Sequence, residues 1–94
     1  MHVLALEVDI HLPAAQSLKD KRSLVKPLLE GARRRFGVAV AEVDSQDLRQ
    51  RAQLGFAVVA DSERHAVEVM DQVDRFVWSH PEIEVLSSER RWLA

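Results

Sequence analysis

With 94 residues and a formal net charge of −2, the chain has the size of one domain, residues 1–94, able to bury a modest core of its own. It contains no cysteine, which excludes a disulfide framework, a cysteine-ligated metal and a thiol nucleophile, and fits a reducing compartment. The slight acidic excess speaks against a generally basic nucleic-acid binder, yet the charge is uneven: seven Lys or Arg lie between Lys19 and Arg35, against Asp20 and Glu30.

The N-terminal run alternates. Leu4, Leu6, Val8, Ile10 and Leu12 fall on one side of an extended chain and Ala5, Glu7, Asp9 and His11 on the other, the pattern of a half-buried strand. The run carries two acids, lacks a basic leader and is too short to span a bilayer. A cytoplasmic protein with no membrane partner is therefore expected.

After Pro13, Ser17 followed by Asp20 reads as a helix start of the capping-box type, with Asp a shorter partner than the usual Glu. Leu18, Val25, Leu28, Leu29, Ala32 and Phe36 recur at helical spacing, opposite a face of Lys19, Arg22, Lys26, Glu30, Arg33 and Arg34. Gly37 supplies the left-handed residue that often ends a helix. Pro27 either bends this helix or begins it. The unbroken apolar register across it favours the bend.

Two strands follow, over 38–43 and 52–60, joined by the polar connector Asp44–Arg51. A second helix starts at Asp61 or Ser62 and carries the stripe Ala66, Val69, Met70, Val73, Phe76 and Val77, ending at His80-Pro81. Ile83–Ser88 reads as a last short strand. The order β-α-β-β-α-β predicts an α/β (α+β) domain of the ferredoxin-like kind: a two-layer sandwich with an antiparallel four-stranded sheet and both helices on one face.

The segments Ser17-Leu-Lys-Asp-Lys-Arg22, Arg34-Arg-Phe-Gly-Val38, Ala41-Glu-Val-Asp44, Gln46-Asp47 and Gln50-Arg-Ala52 together resemble the YlxP-like family of small bacterial proteins of unknown function. The likeness extends over nearly the whole chain. It implies a ferredoxin-like fold and a gene position beside transcription and translation factors, and it supplies no catalytic residues.

Candidate sites follow from charge and exposure. Cations in the last turn of a helix complement its dipole, which accounts for Arg33, Arg34 and Arg35. Lys19, Lys21 and Arg22 sit in the first turn, where the dipole disfavours them, so Ser17, Lys19, Lys21, Arg22 and Lys26 form a candidate anion or phosphate site. RNA stacking on the open sheet face is disfavoured, because Leu54-Gly-Phe-Ala-Val58 lacks the basic and second aromatic residues of an RNA-recognition strand and Glu7 and Asp9 repel phosphate. Glu7, Asp9 and His11 share one side of a strand, but no His or Cys pair at ligand spacing accompanies them; no metal, cofactor or catalytic residue is predicted. The small apolar residues Ala5, Gly55, Ala57 and Val59, with Trp78 and Trp92 as anchors, suggest a homodimer interface. The expected function is a non-enzymatic module associated with RNA or a ribosomal particle. The alternative is a homodimeric assembly module using the open sheet, and the third reading is a metal-dependent enzyme.

Overall fold

Alternation in the N-terminal run becomes the ten-residue strand β1, His2–His11. In the computed structural model, which describes residues 1–94, it is followed by α1 (Leu18–Phe36), β2 (Ala39–Asp44), β3 (Arg51–Ala60), α2 (Glu63–Trp78) and β4 (Glu84–Trp92). The strands form one sheet in the order β2-β3-β1-β4, every neighbouring pair antiparallel. This is the ferredoxin-like arrangement expected.

Leu4, Leu6, Val8 and Ile10 of β1 and Ala52, Leu54, Phe56 and Val58 of β3 meet Val25, Leu28 and Ala32 of α1 and Ala66, Met70, Val73 and Val77 of α2 in one buried cluster. Both helices thus cover the same face. Each fully buried Leu, Val or Phe stabilises the fold by roughly 1.5–3 kcal/mol relative to exposure. No helix is long and apolar enough to cross a membrane.

The helix ends use local polar groups. The Ser17 hydroxyl accepts from the Asp20 amide at 3.0 Å. Asp20 reaches back in turn, but to the amide of Gln16 at 3.0 Å, one residue before the cap. Gly37, at φ 66°, ends α1 and donates its amide to the carbonyl of Arg33. The helix runs through Pro27 rather than starting there, so the carbonyl of Ser23 loses its intrahelical partner. Ser62 caps α2 by accepting from the His65 amide.

Strand β4 extends to Trp92, four residues past the expected end at Ser88. Beyond Val85 it buries almost nothing, so no hydrophobic pattern marks it. Backbone pairing with β1 carries it, from Glu7 opposite Glu89 to Leu4 opposite Trp92.

Candidate functional site

Lys21 is not on the surface. It lies on the apolar stripe of α1, three residues after Leu18 and four before Val25, and is 2% exposed. Its Nζ donates to the carbonyl oxygens of Ser45 (2.8 Å), Gln46 (3.1 Å), Leu48 (2.8 Å) and Arg51 (3.1 Å) and sits 2.7 Å from Oε2 of Glu42. An ammonium has three donors, so these oxygens share them. The β2–β3 connector is wrapped around this one group. Ser45 adopts a positive φ of 66°, and its carbonyl also accepts from the Leu48 amide at 3.1 Å. The expectation that Lys21 belongs to a solvent-facing anion site is therefore corrected: burial and five oxygen neighbours make it the core of the hairpin.

Ser17 likewise acts as the helix cap, and the Asp20 carboxylate already stands at the positive end of the helix dipole. The first turn offers a partner no vacant anion cradle. Lys19, Arg22 and Lys26 remain, all exposed.

Arg22 and Lys26 overhang a groove of about 260 Å³ between α1 and β2, floored by Val25, Leu29 and Val40 and flanked by Glu30 and Glu42. Both acids are engaged. Glu42 holds Lys21, and Glu30 holds Arg33 at 2.7 Å; the hydrogen bond and charge of Arg33 keep the Glu30 carboxyl below its ordinary pKa, with smaller help from Arg34 and Lys26. Arg22 and Lys26 enter no ion pair or side-chain hydrogen bond within the chain. Arg35 lies over the rings of Phe36 and Phe76, at 5.5 and 5.1 Å.

The open sheet face divides in two. At one end Glu7, Asp9 and His11 take separate cross-strand partners: Gln53 and Arg91 beside Glu7, Arg51 beside Asp9, and Glu84 beside His11. The three side chains thus turn to different neighbours. Beside Glu7, whose cross-strand partner is Gly55, Ala5, Ala39, Ala41, Val43, Gly55 and Ala57 line a shallow depression of about 270 Å³ that Glu7 and Arg91 border. Val43 is the extra residue of a β-bulge between Glu42 and Asp44, and it comes so close to Gly55 that a Cβ there would lie 2.8 Å from its Cγ1. Val59, 66% exposed, belongs to the same face. Trp78 and Trp92 do not. Trp78 ends α2 in the helical layer, and Trp92, opposite buried Leu4, lies on the helix side of the sheet, edge-on to His2 at 6.4 Å.

With this geometry in hand, comparison with known proteins is decisive at one level. The family described as "Protein of unknown function (DUF503)" matches residues 3–90. The chain belongs to that family. It is 35% identical over 78 residues to "Uncharacterized protein YlxP" of Bacillus subtilis (strain 168), covering 83% of this chain and 85% of that one. Among solved structures it is similar to a de novo designed protein with a ferredoxin fold, at a TM-score of 0.58 and 15% identity, over 100% of this chain and 87% of the design. A putative PII-like signaling protein from Thermus thermophilus aligns at a TM-score of 0.42 and 21% identity, over 98% of this chain and 89% of that one. The designed fold supports the architecture alone.

Sequence reasoning missed the role of Lys21 and the groove beside it. One signal was present. Lys21 falls on the apolar stripe rather than on the charged face of α1.

Proposed function

We propose that this protein is a non-catalytic binding module that associates with RNA or a ribonucleoprotein through the exposed face of α1. One observation carries the reading: Lys19, Arg22 and Lys26 stand at spacings of three and four on a helix surface and form no ion pair or side-chain hydrogen bond within the chain. Such a row offers phosphates several cations at once, and each contact made releases condensed counterions. A merely stabilising role does not account for Lys19, since a cation in the first turn of a helix is disfavoured by its dipole.

The test is co-sedimentation with ribosomal particles across a salt series, comparing the natural chain with a Lys19→Ala/Arg22→Ala/Lys26→Ala variant. Lys21 is left intact, because its loss would disturb the hairpin. Association that falls with salt and falls further in the variant is expected. Equal sedimentation of both proteins would sink the reading.

A second reading, self-assembly through the open sheet face, is favoured by the depression around Ala5, Gly55 and Ala57, where small side chains permit close approach of another flat surface. Light scattering at micromolar concentration checks it. A dimer abolished by Ala57→Glu is the expected result, and a monomer removes the reading.

A further inference from the structure

The groove between α1 and β2 has a backbone side as well as a charged one. Strand β2 is an edge of the sheet, so alternate backbone N–H and C=O groups along it face away from β3. Natural edges are commonly blunted by Lys, Pro, inward charges or bulges. The opposite edge, β4, is treated that way: it carries Glu89, Arg90 and Arg91 and has a register break where it meets Asp9 and Ile10. Strand β2 carries one inward charge, Glu42, with a bulge after it, but Lys21 neutralises Glu42 and the stretch Ala39-Val-Ala41 before them contains no charge and no proline. Lys21 holds this strand in place by gripping Glu42 and the hairpin beyond it.

We infer that β2 accepts an extended acidic peptide segment of a partner protein as an additional strand, its carboxylates meeting Arg22 and Lys26 and its apolar side chains resting on Val25, Leu29 and Val40. The inference rests on the reading that the α1 cations meet an anionic partner, and it names the component that reaches them. Charge complementarity selects this occupant. The two acids of the groove are neutralised by Lys21 and Arg33, which leaves two unpaired cations above an apolar floor. RNA phosphates satisfy the cations but supply no hydrogen-bond donors for the β2 carbonyls and nothing for the apolar floor. An extended peptide meets all three demands, as in other cases of strand addition.

Fluorescence anisotropy with a labelled eight-residue peptide, Val-Ser-Asp-Ser-Val-Ser-Asp-Ser, whose valines and aspartates share one face of a strand, tests the inference, beside two forms N-methylated at every second residue in the two possible registers. Methylation removes donors without changing charge. The expected result is binding by the natural chain, a loss of about tenfold or more for one methylated form through at least two missing hydrogen bonds, and a comparable loss on Arg22→Ala/Lys26→Ala. Equal binding of all three peptides would overturn strand addition. An RNA oligonucleotide that binds where the peptide does not would also overturn it, leaving the ribonucleoprotein reading standing. Peptide binding without any co-sedimentation with ribosomal particles would retain the strand site and remove that reading instead.

Discussion

The Nζ of Lys21 lies 2.7 Å from Oε2 of Glu42, joining the first turn of α1 to the edge strand while four carbonyls of the following hairpin share the same ammonium. Removing one partner of a buried pair leaves the other charge uncompensated, at a cost of about 3–5 kcal/mol. Lys21→Met is therefore expected to destabilise the fold by roughly that amount, and the freed carbonyls should make amides of residues 44–51 exchange faster. Glu42→Gln keeps an oxygen acceptor and should cost less, about 1–2 kcal/mol. Denaturant unfolding of both variants and the double variant measures the coupling. If Lys21→Met cost under about 1 kcal/mol, the hairpin would not depend on this pair.

Gly31 lies where α1 packs against Phe76 of α2. A Cβ there would stand 2.9 Å from Cζ of Phe76, whose ring is held edge-on by Phe36 at 5.6 Å and His80 at 4.8 Å. Alanine improves helix propensity by about 1 kcal/mol, whereas forced overpacking costs about 1–3 kcal/mol. The second effect should win. A lower denaturation midpoint for Gly31→Ala, by about 1 kcal/mol net, is expected; a higher midpoint would show that the Phe76 ring yields freely.

Pro27 tests the opposite sign. It is exposed, and its missing N–H leaves the carbonyl of Ser23 without a helical partner. An interior proline costs about 3 kcal/mol relative to alanine, partly offset by about 0.4–1 kcal/mol of restricted unfolded chain. Pro27→Ala should stabilise the protein by roughly 2–2.5 kcal/mol. A destabilised variant would mean that the ring packs against Leu24 and Ile83 across the small cavity they share more strongly than its exposure suggests.

These cases show what was legible in the sequence. Strand β1 and helix α2 declare themselves because burial on one side imposes a period of two or 3.6 on side-chain polarity, and the order of elements then fixes the sheet. The longer β4 is silent because an edge strand held by backbone pairing needs no apolar side chains. Lys21 is obscure for a related reason. Its partners are mainly backbone carbonyls, which every residue possesses, so nothing in Ser45-Gln-Asp-Leu48 announces that it encircles an ammonium. Only position betrays the lysine, on the stripe between Leu18 and Val25. Dividing the basic residues by helical face before grouping them by charge would have separated Lys21 from Arg22.

The same division predicts which cations govern salt dependence. For single-stranded nucleic acid the slope of log K against log salt is about −0.7 per phosphate neutralised, so loss of Lys19, Arg22 and Lys26 should flatten it by about 2 if each meets one phosphate. Arg33 is paired with Glu30, and Arg35 is stacked on Phe36 and Phe76. Changing these two to Ala should alter the slope far less, although they carry nearly as much formal charge. Titrations in a salt series with an RNA oligonucleotide separate the two variants. Equal flattening by both would mean that RNA senses the basic helix as a diffuse field rather than through the unpaired row beside β2.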